Sequence, residues 1–165
     1  MYAFDYQRPS TVSEAAALLS DGSGAKLLAG GQTLIPTMKQ RLASPPLVVD
    51  LRDVAEIKGI ERTEDRLVIG AMTTHAQVAE SSVVAAAISG LCKVAESIGD
   101  PHVRNRGTLG GSLANNDPAA DYPAAVLALD ATVHTNKREI AADDFFQGLF
   151  TTALEEDEII TRVSF

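Results

Sequence analysis

Two glycine pairs, about 80 residues apart, are the residues of this chain best suited to holding an anion. The first lies in Lys26-Leu27-Leu28-Ala29-Gly30-Gly31-Gln32-Thr33-Leu34-Ile35-Pro36, the second in Asn105-Arg106-Gly107-Thr108-Leu109-Gly110-Gly111-Ser112-Leu113-Ala114-Asn115. Glycine lacks a Cβ, so its backbone can approach an anion closely and take positive φ, and successive N–H groups can converge on phosphate oxygens. One Gly-Gly alone reads most simply as a turn. Two, each beside hydroxyl or amide side chains, point to a nucleotide whose pyrophosphate is gripped from both sides. On this reasoning a Cβ at Gly30 or Gly111 blocks the ligand and leaves the fold intact. Neither segment fits G-x-G-x-x-G or G-x-x-x-x-G-K-[ST], which disfavours Rossmann and P-loop folds.

Other chemistry-bearing residues carry weaker signals. Asp117 and Asp121 flank Pro118-Ala119-Ala120 before an apolar run; Asp117 reads as a helix N-cap, and Asp121 as a first-turn residue or a carboxylate accepting from a sugar hydroxyl. His75, His102 and His134 are far apart, with no carboxylate or cysteine at metal-ligand spacing. Cys92 lies among apolar helix residues and reads as a small buried hydrophobe. Arg104 and Arg106 bracket the second glycine segment as phosphate contacts, subunit contacts or solvated charges.

Composition narrows the classes. A length of 165 residues with 45% hydrophobic content suits one domain with a real core. The formal charge of -8, without a run of Lys or Arg, disfavours nucleic acid as a partner. A single cysteine excludes an internal disulfide and a cysteine-held iron-sulfur cluster within this polypeptide. No apolar run approaches a membrane span, and the start lacks a secretory pattern, so the expected location is the cytoplasm.

The elements that must position the glycines can be read in order. Thr11-Val12-Ser13-Glu14 has capping-box spacing before Ala15 to Leu19, with Asp21-Gly22-Ser23-Gly24 as the stop. Lys26 to Leu28 reads as a strand, Thr33 onward as a helix with Leu34, Ile35, Met38 and Leu42 near one face, and Leu47 to Leu51 as a second strand. This strand, helix, strand unit implies a small parallel sheet. Residues 60–63 and 66–70 read as an antiparallel hairpin. Residues 74–80 and Val84 to Ser97 read as helices, the latter with a stripe of Val84, Ile88, Leu91 and Val94. The second glycine segment is too rich in Gly and Asn to be regular; a helix over Pro118 to Leu129, a hairpin about Asn136-Lys137 and a strand from Ile159 follow. The fold class is α+β with two lobes, divided near residues 52 to 60, and the cleft between them is the expected ligand site.

Longer blocks carry a resemblance: Phe4-Asp5-Tyr6-Gln7-Arg8-Pro9, Ala29 to Pro36, Ile69-Gly70-Ala71-Met72-Thr73-Thr74-His75, Arg106 to Leu113, Asp117-Pro118-Ala119-Ala120-Asp121, and Phe145-Phe146-Gln147-Gly148-Leu149-Phe150-Thr151-Thr152. In order and spacing the chain resembles the FAD-binding medium subunit of the molybdenum hydroxylases, the carbon monoxide dehydrogenase and xanthine dehydrogenase type. The resemblance implies a two-lobed FAD-binding fold of the vanillyl-alcohol oxidase (PCMH) type, with subdomains 1–55 and 56–165 and the family's C-terminal domain absent. It implies pyrophosphate contacts from Ala29, Gly30, Gly31, Gln32 and Thr33 and from Thr108, Leu109, Gly110, Gly111 and Ser112, with Lys26, Asn115 and Asp121 in support. It further implies electron transfer from the iron-sulfur small subunit through FAD to an acceptor, a molybdenum-cofactor large subunit that oxidises substrate, and no acid, base or nucleophile in this chain. Two alternatives stand beside it: a non-catalytic nucleotide-binding or assembly module without the C-terminal domain, and a standalone flavin reductase.

Overall fold

The structure, a computed structural model, describes residues 1–21 and 24–165. Gly22 and Ser23, part of the expected stop of the first helix, lie outside the described residues. In chain order the elements are β1 (Asp5–Gln7), α1 (Val12–Leu19), β2 (Lys26–Leu28), α2 (Leu34–Lys39), β3 (Leu47–Asp50), β4 (Ile60–Arg62), β5 (Leu67–Gly70), α3 (His75–Ala79), α4 (Ser82–Ala87), α5 (Ser89–Ser97), α6 (Pro101–Arg104), α7 (Leu109–Asn115), α8 (Asp121–Ala128), β6 (Thr132–Thr135), β7 (Glu139–Ala141), α9 (Ala142–Phe145), β8 (Phe146–Gly148), β9 (Thr151–Thr152) and β10 (Ile160–Ser164). The fold is α+β, and no helix among the described residues is long and apolar enough to cross a membrane.

The N-terminal sheet is parallel, in the order β1-β3-β2, with the expected β2-α2-β3 crossover. All four residues of β3 are buried because helices cover both faces. Leu47 and Val49 face a cluster containing Ala15 of α1, while Val48 faces Met38 of α2, the two-residue alternation of a strand. The edge strand β1 was not legible: its three residues are exposed and carry no apolar alternation. The first helix keeps half of its capping box. Thr11 Oγ1 accepts from Glu14 N, but the Glu14 carboxylate accepts from Ser10 N rather than from the N-cap amide. Leu42 is corrected outright, since α2 ends at Lys39, Arg41 takes positive φ, and Leu42 is solvent-exposed.

The second sheet is antiparallel in the order β4-β5-β10-β6-β7, confirming both expected hairpins. The strand from Ile159 takes the central place, pairing with β5 on one side and β6 on the other. Its leading residues join the two cores: Ile159 packs in the cluster with Leu47 and Val49, and the adjacent Ile160 in the cluster beneath α3, α5, α7 and α8. The expected single helix from Val84 is broken at Ile88 (φ -142, ψ 79), giving α4 and α5. That bend lets Val84, Leu91, Cys92 and Ala95 all reach the core, while Ile88 and Val94 are only half-buried. The second glycine segment is regular after all. Thr108 caps it by accepting from Gly111 N at 3.2 Å, so the segment from Leu109 becomes α7.

An ion pair between the buried Glu158 and the exposed Arg138 ties the β6–β7 turn to the strand that joins the cores. The Glu158 carboxylate accepts from Arg138 Nε (3.0 Å) and Nη2 (2.9 Å), Thr135 Oγ1 (2.7 Å) and Glu155 N (3.0 Å). These donors, Arg138 foremost, hold its pKa down at about 2. A folded-state pKa below the unfolded value stabilises the fold above the unfolded value near 4.5, and the stabilisation is lost as pH falls toward 2. Glu158→Gln is expected to cost about 1 to 3 kcal/mol at neutral pH and to flatten the pH dependence of unfolding over that acid window. Equal urea midpoints for variant and parent at neutral pH would disprove it.

Candidate functional site

Strand β2 delivers the chain into the turn 29–33, and α2 begins at Leu34. Gly31 sits at φ +74 with the Ile35 side chain close beneath, where an L residue would be strained and crowded. Thr33, the N-cap, makes no side-chain cap bond. The N–H groups of Gly30, Gly31, Gln32 and Thr33 find no acceptor among the described residues. Backbone donors of this kind at a helix start need a partner from elsewhere.

The second segment is held differently. Residues 71–75, between β5 and α3, pair with residues 107–110 through His75 N to Gly107 O (3.0 Å), Leu109 N to Thr73 O (3.1 Å), Gly110 N to Ala71 O (2.8 Å) and a bridge between Thr74 and Thr108. Gly111 N is taken by Thr108 Oγ1, and Ser112 N by Thr108 O at 3.0 Å. The expectation of converging N–H groups from both segments is therefore corrected. From Leu109 to Ser112 these donors are consumed within the fold, because capping α7 and pairing with residues 71–75 satisfy them first.

The two segments meet. A Cβ built on Gly30 would stand 2.1 Å from Arg106 O and 2.7 Å from the Gly107 Cα, and one on Gly111 would stand 3.4 Å from the Ala29 Cβ. Gly110 is pressed on Ala71, where a Cβ would lie 2.6 Å from the Ala71 Cβ. Close backbone packing thus accounts for Gly30 and Gly110, and the expectation that a Cβ at Gly30 would touch only the ligand is corrected, since it would also press on the second segment.

Around this contact lies a cleft of ≈ 750 Å³. Lys26, Ala29, Gly30, Gly31, Gln32 and Thr33 line one side, and Thr108, Gly110, Gly111, Ser112 and Asn115 the other. Leu109 and Asp121 are not brought to it: the Leu109 side chain is in the core, and Asp121 is an exposed residue at the start of α8. Asp117 does line the cleft, but its Oδ1 accepts from Ala119 N in a turn and the α8 N-cap is Ala120, a correction to the expected cap. Arg104 is committed to the Ile98 and Gly99 carbonyls at 3.0 and 2.7 Å rather than to the cleft.

Sequence reasoning did not place His75, Glu156 and Glu158 at the cleft. Their chain positions carry no spacing signal; only the block ending in Thr74-His75 marked that stretch. His75 is 5% exposed, and burial drives its pKa down to about 4 against a smaller opposing pull from Asp121. Its ring lies 5.2 Å from that of Tyr122, and neither His75 Nδ1 nor the Tyr122 hydroxyl has a hydrogen-bond partner among the described residues. Cys92 is buried as expected, its thiol pushed up by desolvation and directed at Val78 O.

The cleft lies where a parallel and an antiparallel sheet meet, and comparison with known proteins gives the family. The FAD binding domain in molybdopterin dehydrogenase matches residues 2–165, and the chain belongs to this family. It is 42% identical over 165 residues to the carbon monoxide dehydrogenase medium chain of Hydrogenophaga pseudoflava, covering 97% of this chain and 58% of that one. It is 34% identical to the xanthine dehydrogenase FAD-binding subunit of Escherichia coli O157:H7, covering 97% and 56%. Among solved structures, carbon monoxide dehydrogenase from Hydrogenophaga pseudoflava superposes with a TM-score of 0.96 at 42% identity, covering 99% of this chain and 58% of that one. Quinoline 2-oxidoreductase from Pseudomonas putida 86 superposes with a TM-score of 0.95 at 38% identity, covering 99% and 59%. The chain thus spans less than three fifths of the length of these relatives.

The packing role of Gly30 can be separated from any ligand. Gly30→Ala is expected to cost about 1 to 3 kcal/mol of stability in ligand-free protein, whereas Gly90→Ala, in open space within α5, should gain about 0.5 to 1 kcal/mol. Equilibrium urea unfolding reads both, and a Gly30→Ala protein as stable as the parent would mean that the two segments do not touch there.

Proposed function

We propose that this chain is an FAD-binding electron-transfer unit of a molybdenum hydroxylase complex, with FAD extended across the cleft in a two-lobed PCMH-type arrangement of residues 1–55 and 56–165. The observation that carries the reading is the row of uncommitted N–H groups from Gly30 to Thr33 lining a cleft roomy enough for a dinucleotide. In this reading those four donors bind the pyrophosphate, and Lys26, the cation among the described cleft-lining residues, offsets its charge. Ser112 and Asn115 supply side-chain hydrogen bonds, and Gly110 and Gly111 let the opposite wall come close. Thr108 contributes by capping α7 and Leu109 by anchoring it, while Asp121 stays outside the cleft wall.

Bound there, FAD would supply the redox chemistry by which this chain links iron-sulfur clusters of a small partner subunit to an external acceptor. Substrate oxidation belongs to a molybdenum-cofactor large subunit. This chain's residues bind, orient and exclude water; none serves as acid, base or nucleophile.

The visible spectrum tests the reading. FAD added to the purified protein should survive desalting as a bound, oxidised flavin, displaced only weakly by ADP. A colourless protein that binds ADP as tightly as FAD would replace this reading with that of a nucleotide-binding assembly module. Oxidation of reduced nicotinamide by the protein alone would favour a reductase. Lys26→Met should weaken FAD binding by about 1 kcal/mol at low ionic strength, with the deficit shrinking as added salt screens the ammonium.

A further inference from the structure

Four groups form a continuous stack from the core to the first glycine segment. The Tyr122 ring of α8 lies 5.2 Å from the His75 ring. The His75 imidazole abuts Gly107, where a Cβ would stand 2.6 Å from Nε2 and 2.8 Å from Cδ2. Gly107 in turn abuts Gly30, whose Cβ would stand 2.7 Å from the Gly107 Cα. His75 also holds Gly107 by its backbone, donating its N–H to the Gly107 carbonyl. The residue is more than nine-tenths buried, yet Nδ1 has no hydrogen-bond partner among the described residues, and neither does the hydroxyl of Tyr122. An imidazole with a buried, unpaired Nδ1 is a costly choice for filling space that an apolar side chain would fill more favourably.

We propose that His75 is a positioning residue for the cofactor: its imidazole is a wedge between Tyr122 and Gly107 that sets where the second glycine segment stands against Gly30, and so sets the width of the cleft. The backbone pairing of residues 71–75 with 107–110 fixes register along the segment, but register alone leaves the segment free to tilt. The ring supplies the lateral stop. Because Gly107 has no Cβ, the ring edge reaches the backbone directly, and a displacement there passes to Gly30 and to the neighbouring N–H groups. The role rests on the FAD reading only for its ligand; the packing claim stands on the ligand-free protein.

The test is a double-mutant cycle of His75→Ala and Gly107→Ala, read by FAD titration with flavin fluorescence and, without ligand, by hydrogen exchange at the Leu109 and Gly110 amides. Each single change should weaken FAD binding about tenfold, one by removing the wedge and the other by forcing it back, and the double variant should bind no worse than the weaker single, the non-additivity of a shared contact. The Leu109 and Gly110 amides should lose protection in both singles and recover it partly in the double, while the Val133 amide of β6 stays protected throughout. Losses in FAD affinity that simply multiply, or equal protection at Leu109 and Gly110 in all four proteins, would overturn the role of His75. If the parent protein takes up no FAD, the functional reading fails and the exchange cycle alone decides this one. Should His75→Ala not fold, His75→Asn, which also stops short of Gly107, takes its place with the same expected outcomes.

Discussion

The arrangement depends on one close approach: the backbone at Gly30 lies against the backbone of Arg106 and Gly107, with no side chain between them. Any Cβ at Gly30 would drive the two segments apart, and with them the two sheets that carry them. Everything lining the cleft is placed relative to that contact. The first segment is aimed by β2 and α2, the second by pairing with the turn after β5, and the cleft is the space left where two independently built turns touch.

Three further contacts brace this arrangement. Consecutive residues Ile159 and Ile160 enter different apolar clusters, so the chain leading into β10 rivets the N-terminal core to the larger one. The Glu158 carboxylate just before them is held by Arg138 and Thr135 of the β6–β7 hairpin. Asn116, in the left-handed region at the end of α7, donates to the carbonyls of Gly148 and Thr151 and so clasps the β8–β9 turn to the same helix. A rigid frame of this kind is what a cofactor site needs, since its donors must be placed before the ligand arrives.

The two glycine segments look alike but divide their work. The second spends its N–H groups on internal acceptors and contributes surface shape, while the first keeps its donors uncommitted. The difference follows from what lies beside each one. Residues 71–75 offer carbonyls to the second segment, whereas no neighbouring carbonyl among the described residues, that of Arg106 beside Gly30 included, accepts from the turn after β2. An anion-binding loop cannot be told from a packing loop by its glycines; the fate of the adjacent amides decides it.

Local signals determined much on their own. Apolar runs gave β2, β3 and β5, turn residues gave both hairpins, and blocks such as Ala29 to Pro36 and Arg106 to Leu113 gave the family that the comparisons bear out. Residues whose role lies in long-range contact were not legible. The exposed β1 is a strand only because β3 offers it a partner, α7 is helical only because Thr108 caps it, and the break at Ile88 serves the packing of α5. The same holds in the site. The sequence marked Gly30, Gly31, Gly110 and Gly111, but only the tertiary structure removed Leu109 and Asp121 from the cleft wall and brought His75 to it. Hydrophobic period and turn chemistry are written over a few neighbouring residues, whereas which amide finds an acceptor, and which backbone meets another, depends on chain segments dozens of residues apart.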